Sequence, residues 1–361
     1  MKLRELYSIL NEIAPFFLQE EYDNSGLQFG DLDSEITKIL LTTDLTQDTV
    51  LEAKENNANT MITHHPIMFK PIKSIEKKKK PALFKAITNG INIISFHTNF
   101  DLAEGGLNDY FLKILGLKKI KPIVESREKI YKIVTFVPEE YVDTVRDALF
   151  EANCGNIGKY DRCSFVSKGI GTFRPLEGSN PFIGTQNKEE HVNEVRVEVI
   201  VKERDLNKAL TELKKAHPYE EPAIDVFRTI FHKNYGIGAI SILDRPLNLK
   251  EFIETFKRLT YTKYVRVIGD INKEINKIAV CTGGCSSLID SIPEDVDLFI
   301  TGDITYHTAL TMLEKGITTL DVEHFETEKF FKEALKEKLD RYNLTIDVIV
   351  SKKEKSPFLL L

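Results

Sequence analysis

Two adjacent histidines, His64 and His65, close the run Thr60-Met61-Ile62-Thr63 and are followed at once by Pro66. The run reads as a short buried strand, and proline bars helical continuation, so the pair falls where a strand stops and the chain turns. Neighbouring side chains on an extended backbone point to opposite sides. Two such imidazoles grip a single ion awkwardly, but each can serve a different ion or approach a cluster from its own angle. In isolation the pair reads equally well as a loop feature, with one ring exposed and the other capping a carbonyl.

Other polar groups share this position after apolar runs. Asp44 follows KILLTT, His97 and Asp101 follow INIISF, Asp303 and His307 follow DLFITG, and His324 and Glu328 follow ITTLDV. In open parallel sheets, ligands bind beyond the carboxyl ends of the strands, where such groups can meet. His324 and Glu328 are four residues apart at a helix start, hence on one face one turn apart, which offers two ligands to one metal site. The plain alternative is an exposed histidine–glutamate pair. Asp101 ends HTNFD before a Gly-rich turn, and a carboxylate there can bridge two ions. His97 and His307 are the candidate catalytic residues, able to carry protons or orient a ligand. His191 and His232 read as solvent-facing. His217, in HPYEEP, reads as local structure, with a separate site as the alternative.

Three imidazoles and two carboxylates (His64, His65, Asp101, His324 and Glu328) are too many for one tetrahedral zinc and suit two divalent ions. Nitrogen and oxygen donors without thiolate fit zinc, iron, manganese or nickel, with zinc favoured. Paired cations make hydroxide available from water at neutral pH, so the natural chemistry is hydrolysis.

The elements that must position these residues follow from periodicity. Up to about Leu117, strands at 38–43, 60–63 and 91–96 alternate with helices, which implies a mostly parallel sheet covered on both faces. One helix opens at Pro81 and stops before Gly90. Between about 128 and 230 the order changes to β-α-β-β-α-β, the ferredoxin-like pattern, with a Gly-, Pro- and Asn-rich loop over 169–186. From about Gly238 the alternation resumes, with a capped helix after Asn248, strands at 265–268, 277–281, 297–301 and 317–322, a long helix over 327–342 and a strand at 345–351. The chain therefore divides into an α/β lobe (1–126), an inserted ferredoxin-like domain (127–231) and a second, similar α/β lobe (232–361).

Composition sets bounds. The 361 residues carry 49 basic and 55 acidic side chains, a net charge of −6, which argues against a dedicated nucleic-acid binder. No stretch is long and apolar enough to span a bilayer, and the amphipathic start (Leu3, Leu6, Leu10, Ile13) is not a signal peptide, so a cytoplasmic protein is expected. Cys154, Cys163, Cys281 and Cys285 form no disulfide grid and read as free thiols. The Lys77–Lys80 run reads as a solvated loop, with anion steering as the alternative. CTGGCSS reads as a tight strand-to-helix turn, with a phosphate cradle as the alternative.

YDNSGLQFGD (22–31), ITHHP (62–66), HTNFD (97–101), TGDITYH (301–307) and DVEHFETE (321–328) together resemble the signatures of the Nif-three-like proteins, the GTP cyclohydrolase 1 type 2 homologues. GKYDRCSF, GTFRP, NPFIG and HPYEEP resemble the PII-like or CutA-like insert of the longer members. The resemblance implies two three-layer αβα lobes with a dinuclear metal site between them, held by the same five ligands. It further implies a ring-like homo-hexamer and a reaction in which water opens the imidazole ring of GTP. CTGGCSS departs from the more glycine-rich turn of the family. The expectation is a metal-dependent hydrolase acting on a nucleotide or other phosphorylated small molecule. The alternatives are a non-catalytic protein that stores, delivers or senses metal, and a scaffold that binds proteins through the insert.

Overall fold

A computed structural model describes residues 1–125, 130–157, 160–229 and 235–359. The expected domain boundaries and His232 lie outside these residues. The chain forms two compact units: Met1–Ser126 with Asn234–Leu361, and Arg127–Lys233.

Helix α1 (Leu3–Ile13) buries the stripe Leu3, Leu6 and Leu10 completely, as its spacing requires. There follow β1 (Gly26–Phe29), β2 (Lys38–Thr42), α2 (Gln47–Glu55), β3 (Thr60–Thr63), α3 (Pro81–Thr88), β4 (Asn92–Ser95), α4 (Thr98–Leu102) and α5 (Leu107–Ile114). Strands β2, β3 and β4 run parallel. Every residue of β3 and β4 is buried, as expected of strands covered on both faces. β1, whose Gly26-Leu27-Gln28 start carries little β-propensity, pairs antiparallel with β4 and was not expected from the sequence.

After β5 (Val124–Glu125) comes the second unit: β6 (Ile130–Pro138), α6 (Val142–Glu151), β7 (Ser164–Phe173), β8 (Glu190–Lys202), α7 (Glu203–Ala216) and β9 (Ile224–Thr229). Its sheet is antiparallel in the order β7-β8-β6-β9, the ferredoxin-like arrangement. The expected loop from Gly169 starts only after Phe173. Gly169 and Gly171 lie within β7, and the Glu194 side chain occupies the space a Cβ at 171 would take. That glycine is a packing requirement rather than a turn signal.

The first unit then resumes with β10 (Gly236–Ile237), which pairs with β5, then β11 (Ala239–Asn248), α8 (Leu249–Thr260), β12 (Arg266–Ile268), β13 (Glu274–Val280), β14 (Leu298–Thr301), α9 (Tyr306–Glu314), β15 (Thr319–Asp321), α10 (His324–Glu328), α11 (Phe331–Leu339) and β16 (Asp347–Val350). The second five-stranded sheet has the order β11-β13-β14-β15-β12. Parallel β13-β14-β15 are flanked by antiparallel β11 and β12. Its parallel centre resembles that of the first sheet, where only the β1 edge is antiparallel.

Three further features differ from expectation. The helix expected over 327–342 is two pieces, α10 and α11, because Glu328 turns inward before Phe331 begins a new buried stripe. Strand β16 lies parallel to β2 and completes the first sheet, in the order β1-β4-β3-β2-β16, rather than staying with residues 232–361. Finally, Cys281 and Cys285 are joined by a disulfide rather than free. Gly283, at φ +72°, folds the turn back and brings their Cα atoms to 6.0 Å.

The halves interleave further. Phe331, Ala334, Leu335 and Leu339 of α11 share a core with Leu3, Leu6 and Leu10 of α1. Phe111 and Leu112 of α5 share one with Ile278, Leu298 and Ile300 of the second sheet. Beyond β16, the buried Glu354 carboxylate accepts from the Thr43 amide and hydroxyl Oγ1 of Thr42 and pairs with Lys332 at 2.5 Å. Among the described residues, no helix is long and apolar enough to cross a membrane.

Candidate metal centre

The side chains from the two sheets' carboxyl ends converge. β3 ends at Thr63, and the next two residues still pair with β2's end, the His64 and His65 amides donating to the Thr42 and Thr43 carbonyls. Buried Thr63 and Ser95 bond each other and also hold the His65 carbonyl, at 2.8 and 3.3 Å. A bend at 64–65 then sets the two rings side by side, centroids 5.1 Å apart, so they approach one cluster from two angles.

His64 is completely buried against Phe331, ring centroids 4.7 Å apart. Its Nδ1 lies 3.0 Å from the Phe96 carbonyl oxygen. A carbonyl can only accept, so Nδ1 carries a proton, and Nε2 is the ring nitrogen turned to the interior. Among the described residues, that Nε2 has no hydrogen-bond partner. It faces Asp101 Oδ1 at 3.7 Å and Glu328 Oε1 at 3.6 Å. The other imidazoles follow the same plan. His65 Nδ1 is 2.8 Å from Asp44, His324 Nδ1 is 2.7 Å from Asp303, and His97 Nδ1 is 2.8 Å from Asp23. An acceptor on Nδ1 fixes each ring and leaves Nε2 to the interior.

His65 Nε2 and His324 Nε2 approach to 3.2 Å, and both meet Glu328 Oε2, at 2.9 and 3.0 Å. The two Glu328 oxygens thus face different imidazoles. His324 and Glu328 do share one face of α10, and Asp101 projects from α4. His64, His65 and His97 form a second group whose ligand atoms lie within 4.8 Å of one another.

The backbone is built around these contacts. Gly302 lies so close to α10 that a Cβ there would meet the His324 nitrogen at 2.7 Å. A Cβ at Gly283 would strike Glu328 Oε1, and the Gly283 amide donates to Thr327 Oγ1 at 2.7 Å. Asp303 and Glu323, at φ +58° and +67°, hold left-handed conformations beside His324, the kind of strain that collects at functional sites. Buried Asn108 ties the halves together, donating to the Asp101 carbonyl at 3.1 Å and accepting from the Thr282 amide at 2.9 Å.

The electrostatics describe a cluster that competes for cations. Burial alone would lower the His65 imidazole, but the carboxylates of Glu328 and Asp44 outweigh it and raise it to about 11. Against the same burial, Glu328 and Asp303 raise His324 to about 9. Burial pushes Asp101 up to about 8, opposed by His97 and assisted by Glu328. Glu328, despite its burial, is held well below the usual carboxylate range by His64 and His65. Burial likewise opposes ionisation of Asp23, but His97 and Thr98 hold it below its ordinary range.

The donor set fits a divalent metal. Among the described residues, the buried His64 Nε2 and Asp101 Oδ1 lack hydrogen-bond partners, and they face the Glu328 carboxylate that His65 and His324 share. Nitrogen and oxygen donors of this kind suit a divalent cation.

The structure therefore gathers His64, His65, His97, Asp101, His324 and Glu328. His307 is elsewhere. It is exposed on the first turn of α9, its ring against Tyr306, and it belongs to neither ligand group. His191 is exposed on β8, and His217 is buried with Nε2 on the Phe136 carbonyl, a local role. The sequence reading missed Asp23. It sits within the YDNSGLQFGD motif, and a carboxylate before Asn-Ser-Gly was the available signal. Asp44 and Asp303 were noticed as strand-end groups without their role of holding a ring nitrogen.

The family model of Duf34/NIF3 (NGG1p interacting factor 3) matches residues 1–357. A Halalkalibacterium halodurans protein named GTP cyclohydrolase 1 type 2 homolog is 37% identical over 354 residues, covering 96% of this chain and 95% of its own. A Staphylococcus aureus protein of the same name is 35% identical over 364 residues, 99% of each chain. Among solved structures, a Staphylococcus aureus protein superposes with a TM-score of 0.83 at 30% identity, over 100% of this chain and 99% of that one. A Bacillus cereus protein related to NIF3 gives 0.76 at 33% identity with the same coverage. With motifs, fold and near full-length similarity in agreement, the chain belongs to the Duf34/NIF3 family.

Proposed function

We propose that this protein is a dinuclear metal-dependent hydrolase of the cytoplasm, acting on a nucleotide or another phosphorylated small molecule. The observation that carries the reading is His64. This fully buried imidazole commits its Nδ1 to the Phe96 carbonyl, and among the described residues its Nε2 has no hydrogen-bond partner. His65, His324 and Glu328 Oε2 would hold one ion, and His64 with Asp101 another, with Glu328 between them. Bound divalent ions supply Lewis acidity and lower the pKa of water toward neutrality, and zinc is the favoured occupant.

The chain's own residues supply the rest. Asp44 and Asp303 fix the rings of His65 and His324, so that no reorganisation is needed when ligands engage. His97, anchored by Asp23 and adjoining His64 and His65 with ring centroids 5.1 and 5.4 Å away, is the group placed to hold or pass a proton. His307, also a candidate from sequence, lies outside the cluster and takes no part in this reading. The ring-like homo-hexamer is part of the proposal, and sedimentation of the purified protein tests it.

The decisive experiment is elemental analysis of the purified protein combined with a nucleotide-hydrolysis panel, run on the parent and on His65→Ala. Metal-dependent turnover lost in the variant is the expected result. Full metal retention by a His64→Ala, His65→Ala double variant would overturn the ligand assignment. A second reading, metal storage or delivery, draws on the partly exposed His65 and His324 side chains, 26% and 35% accessible, through which an ion can exchange. Rapid metal exchange without turnover of any nucleotide would favour it.

A further inference from the structure

A cavity of about 420 Å³ opens beside the cluster, and its walls mix residues of the metal site with the lysine-rich segment. Asp44 and His65 form one part of the lining, and Lys79 and Lys80 another. Its volume lies within the range of small-molecule sites, roughly 300–1,000 Å³. An occupant of this cavity therefore touches the edge of the cluster through His65 and lies against Lys79 and Lys80.

The lysines have little else to hold. Lys79 pairs with Glu76 at 2.7 Å, but both partners are largely exposed, so the pair contributes little and gives way readily. Among the described residues, the Lys80 ammonium has no ion-pair partner. Lys80 also stands at the entrance of α3, whose start no side chain caps, and Ala82 and Leu83 of that first turn line the cavity as well. The N-terminal end of a helix adds a favourable potential for negative charge. By contrast Asp44, the acidic group in the lining, is already engaged with His65 Nδ1.

We propose that this cavity is the substrate pocket and that Lys79 and Lys80 bind the phosphate-bearing end of the substrate. The inference rests on the metal-centre reading for what happens at the His65 end, but not for the anion site itself. It gives the lysine run a specific task in place of a solvated loop. Lysine binds phosphate as a point charge, so recognition at this end is for charge rather than for a particular base.

The test uses the full chain loaded with zinc and measures binding of inorganic pyrophosphate by titration calorimetry. Lys79→Gln with Lys80→Gln is expected to weaken binding by about tenfold or more, with metal content unchanged. Lys77→Gln with Lys78→Gln, on residues of the same run outside the cavity lining, is expected to leave it unaltered. Equal loss in both double variants, or loss in neither, overturns the proposal, as does failure of the parent to bind. Loss in His65→Ala alone places the anion on the metals and overturns it too. If the parent holds no metal yet still binds pyrophosphate through Lys79 and Lys80, the anion site stands and the metal-centre reading fails.

Discussion

Replacing Gly302 by alanine asks whether the cluster depends on a close backbone approach. A Cβ at 302 would lie 2.7 Å from the His324 nitrogen, 2.8 Å from the Glu323 carbonyl carbon and 2.9 Å from His324 Cα. Non-bonded carbons settle at about 3.5–4.0 Å, so the 323–324 backbone must retreat by roughly 0.7 Å. All three obstructing atoms are main chain, which no rotamer change can move. Glu323 is already at φ +67° and has little conformational freedom to yield. The displacement carries His324, whose Nε2 sits 3.2 Å from His65 Nε2 and 3.0 Å from Glu328 Oε2. Metal–ligand distances tolerate only about 0.2 Å. The expected cost is about 1–3 kcal/mol of stability from overpacking, with zinc affinity lower by about 10–100-fold. Competition with a chromophoric chelator measures the affinity, and thermal unfolding confirms that the variant is folded. Gly169→Ala is the control, since nothing lies within 4 Å of its Cβ position. A folded Gly302→Ala protein that binds zinc as tightly as the parent would refute the reasoning.

Other consequences can be measured directly. Asp23→Ala removes a carboxylate that holds His97 Nδ1, the Thr98 amide and the Ser25 hydroxyl, and should destabilise the protein by about 3–5 kcal/mol in denaturant unfolding. Because Asp23 is held below its ordinary range, its contribution is present above about pH 4 and fades in acid. His65 and His324, raised to about 11 and 9, stabilise the metal-free protein fully below about pH 6.5 and lose that effect as pH climbs through those values. Asp101, raised to about 8, acts in the same sense. The melting temperature of metal-free protein should therefore drop between about pH 6.5 and 9 relative to the zinc-loaded form, and zinc binding in that range should release protons measurable by calorimetry in buffers of different ionisation enthalpy. Asn108→Ala strands the Thr282 amide and should cost about 1–3 kcal/mol in chemical unfolding.

The features legible in the sequence were those written in local chemistry. His64-His65 before a proline marked a strand end, and Pro81 with Gly90 framed α3. Leu3, Leu6 and Leu10 announced α1. The ferredoxin-like order was legible because α6 and α7 separate well-patterned strands. What stayed hidden depended on partners distant in the chain. β1 is a strand because β4 offers it an edge. Gly171 belongs to β7 because Glu194 fills the space beside it. The break between α10 and α11 exists because Glu328 must point at imidazoles delivered by another sheet. The Cys281–Cys285 bond follows from a left-handed glycine inside the turn, which spacing alone does not reveal. Asp23 stood inside the YDNSGLQFGD motif, but its role emerges only with His97 beside it.

The strand Asp347–Val350 hydrogen-bonds to Lys38–Thr42, a partner synthesised about 300 residues earlier, roughly 15–60 s at ribosomal rates. Throughout that interval the nascent N-terminal half exposes the unpaired edge of Lys38–Thr42, four of whose five residues are buried in the finished sheet. The helix Phe331–Leu339 that will cover its core has not yet emerged either. Such an edge invites pairing with other chains. Successful biogenesis of this protein thus hinges on something shielding that flank, and depleting holdase chaperones should shift newly made chains into aggregates more sharply than it affects the mature protein.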